Sequence, residues 1–231
     1  MSDRMRYFAV SDNRTVKARK IEAVLCDALA SEGIRDRRIL DLGCGSGHIA
    51  EYFSRANEVV AADVIRQMRV PESGSLKFRR VDAAELPFED GCFDIVLYNH
   101  VFFCSGDQAG QLKEIYRVLK EDGVCYFASA NRYFPIEGFT RLPLLHYLPH
   151  RLFQRLSRRI RKTDEALFPA GYHRMLGLIG EAGFALREYT GEIIRHPQSY
   201  QSEYSFPFLR LVPNCLSPTV VFVLRKRAGG G

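Results

Sequence analysis

The chain has 231 residues and a formal net charge of +6, with 46% hydrophobic and 26% charged residues. This length and balance allow one globular domain with a sizeable core, and exclude a disordered or fibrous chain. No apolar run approaches the roughly 18 residues of a membrane span, and the N-terminus lacks a signal-peptide core, so we expect a cytoplasmic protein. The six cysteines are scattered without a C-x-x-C pair, which predicts reduced thiols and no metal site.

The first predicted elements are a helix over residues 14–33 and a buried strand over residues 38–42 that contains Asp41. The chain then passes through Gly43, Gly45 and Gly47 into helix-like residues. Glycines between a strand and a helix let a ligand approach the backbone N–H groups, at the edge where open α/β sheets bind ligands. The spacing differs from the dinucleotide-binding G-x-G-x-x-G, and the lysine of a P-loop is absent.

Acidic residues follow the next two predicted strands. Asp63 ends the strand over residues 58–63, sixteen residues after Gly47, where doubly wound nucleotide binders place a carboxylate for ribose hydroxyls. Asp82 follows the strand over residues 76–81. Further strands are predicted over residues 93–98 and 124–128, with an amphipathic helix over residues 111–120 between them.

These motifs resemble a known family in four ordered places between residues 38 and 128. An acid before G-x-G-x-G resembles motif I of the class I S-adenosylmethionine-dependent methyltransferases, specifically the methyltransferase type 11-like family. Asp82 with a small residue after it, Leu-Pro-Phe at 86–88 and Arg-Val-Leu-Lys-x-x-Gly at 117–123 are similar to the same family. The resemblance implies an α/β fold: a Rossmann-like seven-stranded sheet, mostly parallel with an antiparallel last strand, and helices on both faces.

The resemblance also implies the ligand and its contacts. The cofactor is S-adenosyl-L-methionine, the product is S-adenosyl-L-homocysteine, and no metal is required. Asp82 and the residue after it are expected at the adenine, and Asn99 at the end of the fourth strand is expected near the sulfonium. The expected cofactor-binding residues are Asp41, Gly43, Cys44, Gly45, Gly47, Asp63, Val64, Asp82, Ala83 and Asn99.

The stretch from residue 131 to about residue 171 is expected to be a lid or acceptor insert within a single domain, residues 1–231. Its residues 141–162 contain seven Arg or Lys and no acid, and residues 150–162 have an apolar helical face of Leu152, Phe153, Leu156 and Ile160. Three interpretations stay open: a lid with a solvated basic face, a lid that also contacts an anionic membrane peripherally, and a protein-docking element. We expect no DNA partner, and aromatic residues are not interleaved with the charges as RNA stacking would require.

The remaining chain predicts a helix over residues 172–183, a strand over residues 185–194 and a last strand over residues 219–224. The resemblance places that last strand antiparallel between the fifth and sixth.

Methyl transfer to a hydroxyl needs a base or a preorganised proton acceptor, and three histidines are candidates. His100 follows the fourth strand, His146 lies in the apolar part of the insert, and His173 begins the next helix. We therefore predict an enzyme, an S-adenosylmethionine-dependent methyltransferase acting on a small-molecule or lipid- or glycan-linked acceptor, with O-methylation favoured. Two alternatives are a non-catalytic S-adenosylmethionine-binding docking or regulatory subunit and, less favoured by the glycine spacing, a nicotinamide-dependent oxidoreductase.

Overall fold

A computed structural model describes residues 11–82, 85–138, 140–162, 164–202 and 211–227, and these contain seven strands and six α-helices. The strands in chain order are β1 (Arg38–Leu42), β2 (Glu58–Asp63), β3 (Leu76–Arg80), β4 (Phe93–Asn99), β5 (Leu119–Ala130), β6 (Phe184–Glu188) and β7 (Thr219–Lys226). The helices are α1 (Ser11–Leu29), α2 (His48–Ser54), α3 (Gln108–Val118), α4 (His150–Arg161), α5 (Tyr172–Glu181) and α6 (Thr190–Arg195).

The strands form one sheet in the order β3-β2-β1-β4-β5-β7-β6. The first five strands in this order pair in parallel, whereas β7 is antiparallel to both of its neighbours. The predicted mixed seven-stranded sheet, with an antiparallel last strand between the fifth and the sixth, is therefore confirmed. The carboxyl ends of β1, β2 and β4 meet at one edge, which we call the carboxyl edge.

The sheet is buried on both faces, because successive side chains of its central strands enter two different hydrophobic clusters. In β4, Ile95 and Leu97 belong to one cluster, and Val96 and Tyr98 to the other. Helices α1 and α2 cover the first face and helices α3 and α5 cover the second. This two-sided burial explains why these strands are continuous apolar runs in the sequence rather than alternating ones.

The prediction of a single strand over residues 185–194 is wrong. β6 ends at Glu188, and α6 occupies residues 190–195, with Ile193 N donating to Tyr189 O at 2.9 Å. A short apolar run has no period that separates a strand from a helical turn, so burial of Ile193 is compatible with both. Helix α3 also starts earlier than predicted, because the Asp107 side chain caps it by accepting from Gly110 N at 2.8 Å.

None of the helices in the described part of the chain has the length and hydrophobicity that crossing a bilayer requires. All six cysteines are free thiols. The described residues also contain no group of three His, Cys, Asp or Glu side chains placed to hold a metal ion.

Candidate functional site

The glycine loop connects β1 to α2 at the carboxyl edge and is held against the end of β2. Gly43 N donates to Ala62 O at 2.7 Å, and Gly45 N donates to Asp63 Oδ2 at 2.9 Å. Gly43, Gly45 and Gly47 all have left-handed backbone conformations, with φ of 76°, 53° and 81°. Non-glycine residues adopt this region at a steric cost, so the loop conformation needs glycine.

Close packing adds a second requirement for glycine at the two ends of the loop. A Cβ on Gly43 would lie 2.2 Å from Val101 Cγ2, and one on Gly47 would lie 2.4 Å from Met68 Cγ. Both distances are far below a van der Waals contact. The loop backbone is therefore packed directly against the residues that follow β2 and β4.

Asp41 lies beneath this loop and is 3% exposed. Its Oδ2 atom is buried and has no hydrogen-bond partner. Burial and the neighbouring Asp63 carboxylate raise the pKa of Asp41 to about 7, against the opposite influence of a hydrogen bond from the Ala50 backbone. A buried carboxylate oxygen without a donor is a natural partner for a cation or an N–H group of a ligand.

The ends of β2 and β3 provide an acidic and apolar rim beside the loop. Asp63 Oδ1 accepts from Ile65 N at 3.3 Å, and Val64 and Ile65 expose 48% and 45% of their surface. Asp82 is exposed just after β3, and the adjacent Val81 N donates to Asp63 O at 3.1 Å. The structure thus brings two acids and two exposed aliphatic side chains to one place. Ala83, a predicted adenine contact, lies outside the described residues.

His100 follows Asn99 at the end of β4 and has a left-handed backbone, with φ of 60°. Its N–H donates to Ala128 O of β5 at 2.8 Å, and its ring lies 6.2 Å from that of Phe103. Burial, together with the positive charges of Lys20 and Lys17, lowers the pKa of His100 to about 3. His100 is therefore neutral at physiological pH and lies close to the cations of α1.

The other two predicted histidines make their contacts elsewhere. His146 is buried, and its Nε2 forms a 2.8 Å hydrogen bond with Arg132 O. His173 is exposed on α5, with its ring centre 5.9 Å from that of Tyr133. A catalytic role for either stays a prediction.

Lys20 was missed by the sequence interpretation. It lines a small cavity with Ile193 and Thr190 of α6 and with Thr219 of β7. Because Thr219 pairs with Ala130 at the end of β5, this cavity also lies at the carboxyl edge. Burial and the charge of Lys17 lower the pKa of Lys20 to about 8. The periodicity of α1 identifies its apolar face but carries no signal for this lysine.

A second group that the sequence interpretation did not place is the Glu114–Arg117 pair of α3. Arg117 donates to the carbonyls of Leu86 and Phe88 at 2.9 and 2.8 Å, and Glu114 accepts from Leu86 N at 2.8 Å. The pair therefore positions the segment that follows Asp82. A signal was present, because Arg117 opens the Arg-Val-Leu-Lys run.

Comparisons with known proteins agree with this geometry. A family model described as "Methyltransferase domain" matches residues 40–127. A "Ubiquinone/menaquinone biosynthesis C-methyltransferase UbiE" of Xanthomonas campestris is 31% identical over 191 residues, covering 71% of this chain and 73% of that protein. A "Ubiquinone biosynthesis O-methyltransferase" of Parvibaculum lavamentivorans is 27% identical over 176 residues, covering 71% and 65%.

A solved structure gives the same architecture. The S-adenosylmethionine-dependent methyltransferase of Mesorhizobium loti has a TM-score of 0.60 at 16% identity, covering 84% of this chain and 92% of that one. At this identity the similarity concerns the fold alone. With several other curated relatives, the matched region spans only 28–38% of the relative's length.

Proposed function

The chain belongs to the class I S-adenosylmethionine-dependent methyltransferase family, and we propose that it methylates an apolar small-molecule or lipid- or glycan-linked acceptor through an ionisable hydroxyl. The observation that carries the proposal is the juxtaposition of the glycine loop and Asp41 with His100 and Lys20 at one edge of the sheet. The glycine loop and Asp41 suit a cofactor, and His100 and Lys20 suit an acceptor.

The residues present fit S-adenosylmethionine, the cofactor of this family. The buried, unpartnered Oδ2 of Asp41 suits the methionyl ammonium, and the three glycines of the loop carry no side chain that would obstruct the backbone there. Asp63 suits the ribose hydroxyls, and Val64 beside Asp82 suits the adenine. When bound, S-adenosylmethionine supplies a methyl group on a sulfonium for in-line transfer.

The residues of the chain then have to orient the acceptor and favour its nucleophilic form. The charge of Lys20 favours ionisation of a hydroxyl bound near it. A histidine with a pKa of about 3 is a weak base at neutral pH. His100 is therefore better suited to orient the acceptor hydroxyl by a hydrogen bond than to accept the proton of that hydroxyl. The apolar cavity lining beside Lys20, including Ile193 and Val221, limits competition from water.

We favour oxygen over carbon as the methylated atom, because Lys20 and His100 would act directly on the hydroxyl of the acceptor. An ionised phenol or enol also activates the neighbouring carbon, so C-methylation of the same acceptor class is the main alternative. Of the two quinone-biosynthesis relatives, one is named an O-methyltransferase and the other a C-methyltransferase. Mass spectrometry and NMR of the product would distinguish a methyl ether from a new carbon–carbon bond.

The function is tested by incubating the full chain with radiolabelled S-adenosylmethionine and lipid, polar-metabolite and macromolecular extracts. We expect label in the lipid or apolar-metabolite fraction, because the cavity beside Lys20 is lined mainly by aliphatic side chains. The control is the variant Asp63→Ala, which removes an expected cofactor contact. Binding of S-adenosylhomocysteine without transfer to any fraction would favour the non-catalytic alternative.

Replacing His100 by Asn is expected to lower kcat by about 10²-fold, because the acceptor hydroxyl is no longer held in position, while leaving S-adenosylhomocysteine affinity nearly unchanged. Asn tolerates the left-handed backbone at this position, so loss of the ring is separated from backbone strain. The comparison variants are His146→Gln and His173→Gln. Equal losses in all three histidine variants would contradict the assignment of His100.

Lys20→Met should lower kcat by about tenfold or more, with the smallest loss at high pH, where the acceptor ionises without the charge of Lys20.

A further inference from the structure

We propose that the surface formed by the loop of residues 136–138 and 140–147, together with the outer face of α4, docks on an anionic lipid bilayer. This inference does not depend on the proposed function, because it concerns a surface outside the cofactor and acceptor sites. It rests on three observations: exposed apolar side chains on a hydrogen-bonded loop, an exposed basic helix face, and the position of both beside the carboxyl edge.

The first observation is the order of the loop that exposes apolar side chains. Glu137 is buried, and its carboxylate accepts from both the N–H and the hydroxyl of Thr140, at 2.6 and 2.7 Å. Glu137 N donates to Leu142 O at 3.0 Å, and Leu144 N donates to Pro135 O at 2.7 Å. These bonds close the loop on itself, so its outward side chains are held in place rather than collapsed onto the core.

The outward side chains of this loop are large and aliphatic or aromatic. Leu144 is 57% exposed, and Ile136, Leu142 and Tyr147 each expose more than two-fifths of their surface. Single exposed apolar residues are ordinary on protein surfaces, but four on one short segment form a patch that water solvates poorly.

The second observation is the charge on α4. Phe153 and Ser157 face inward, whereas Arg151, Arg155 and Arg158 recur at spacings of three and four on the exposed side. The predicted apolar face is thus divided: Phe153 and Leu156 pack inward, while Leu152 and Ile160 are exposed. Leu152 and Arg159 lie two helical turns apart on the same side of α4. The outer face of this helix therefore combines apolar and basic side chains.

Most of these charges have no carboxylate partner within the part of the chain that the structure describes. Arg161 pairs with Glu165 at 3.7 Å. Across the described ranges, no carboxylate forms an ion pair with the other basic side chains of this surface, which are Arg141, Arg151, Arg155, Arg158, Arg159 and Lys162. Six unpaired cations bordering an apolar patch complement anionic headgroups above acyl chains.

The third observation is where the surface is anchored. Leu145 and Phe153 share a buried cluster with Phe103, which lies three residues after His100. The Gln154 amide is hydrogen-bonded to the backbone of Leu167, and Phe168 N donates to Phe103 O at 2.6 Å. The surface is therefore fastened to the turn that borders the acceptor side of the carboxyl edge. A bilayer bound there would bring an apolar acceptor close to the site.

The test is co-sedimentation of the full chain with phosphatidylcholine vesicles and with vesicles that also contain phosphatidylglycerol. We expect binding to the second kind only, and loss of most of it at high salt, because salt screens exposed charges. Arg155→Gln/Arg159→Gln should lower partitioning by about tenfold. Leu144→Asn should lower it by about fivefold without loss of thermal stability, because Leu144 has a φ of 58° and Asn tolerates that conformation.

The matched control is Lys77→Gln/Arg79→Gln, which removes two exposed charges from β3 at the far edge of the sheet. It should bind vesicles as the unaltered chain does. No binding to phosphatidylglycerol vesicles at low salt would overturn the proposal. So would equal weakening by the β3 control, or binding to single-stranded RNA in place of vesicles. The assay needs neither cofactor nor turnover, so its result is separate from the outcome of the methyl-transfer test.

Discussion

Replacing Gly43 by Ala is expected to reduce the affinity for S-adenosylhomocysteine by at least about tenfold and to destabilise the protein by about 2–4 kcal/mol. The added methyl group would collide with Val101 Cγ2 at 2.2 Å, and the φ of 76° is unfavourable for any residue with a Cβ. Because the loop is packed against Val101 just after β4, relieving the collision must displace the backbone that we propose receives the cofactor. Calorimetric titration and thermal denaturation would measure the two effects.

A second substitution separates the two causes. Val101→Ala removes the colliding methyl groups, so Gly43→Ala/Val101→Ala should recover the part of the loss that comes from the collision but not the part that comes from φ. Gly74→Ala is the control, since a Cβ there meets nothing within 4 Å. An unchanged affinity in Gly43→Ala would show that the loop does not contact the cofactor.

The affinity for S-adenosylhomocysteine is expected to fall by up to about tenfold per pH unit as the pH decreases below about 7. The raised pKa of Asp41 means that this carboxyl is protonated in the free protein below pH 7. In the proposed site the methionyl ammonium binds the ionised form of Asp41, so binding below that pH must first release a proton. Above pH 7 the carboxylate is already ionised and the affinity should level off. Titrations between pH 5.5 and about 8.5 would cover both regimes.

The variant Asp41→Asn should bind more weakly at neutral pH and lose this pH dependence. The stability of the ligand-free protein should change with pH in the opposite direction to the affinity. In the ligand-free protein, a raised carboxyl pKa stabilises the fold when Asp41 is protonated, and this contribution is lost as the pH rises through about 7. Asp41→Asn should therefore be relatively more stable at pH 8 than at pH 5.5, compared with the unaltered chain. A pH dependence that persists in Asp41→Asn would show that a group other than Asp41 is responsible for it.

Several features of the fold and the cofactor site were predictable because they depend on local sequence. The continuous apolar runs of β1, β2, β4 and β5 predict buried parallel strands. The glycine loop needs residues without a Cβ, and the acids at the strand ends lie at the edge where such sheets bind ligands. Asp41, Asp63 and Asp82 were located in this way, and the structure brings all three to the carboxyl edge.

Other features were decided only when distant parts of the chain came together. The short segment after β6 forms a helix, and the sequence alone could not distinguish this from a strand because its apolar residues can be buried in either conformation. The raised pKa of Asp41 follows from burial next to Asp63, and the lowered pKa of His100 follows from burial near Lys20, which is 80 residues away in the chain. The segment after Asp82 is held by Glu114 and Arg117 of α3.

Local sequence thus determined the buried strands, the glycine loop and the acids that accompany it, because period and residue type act within a few residues, whereas the order of the strands was implied only by the family resemblance. Tertiary structure decided the electrostatics and the positioning of the site. Charge–charge interactions and desolvation depend on which groups become neighbours in space, and the spacing of residues along the chain does not specify those neighbours.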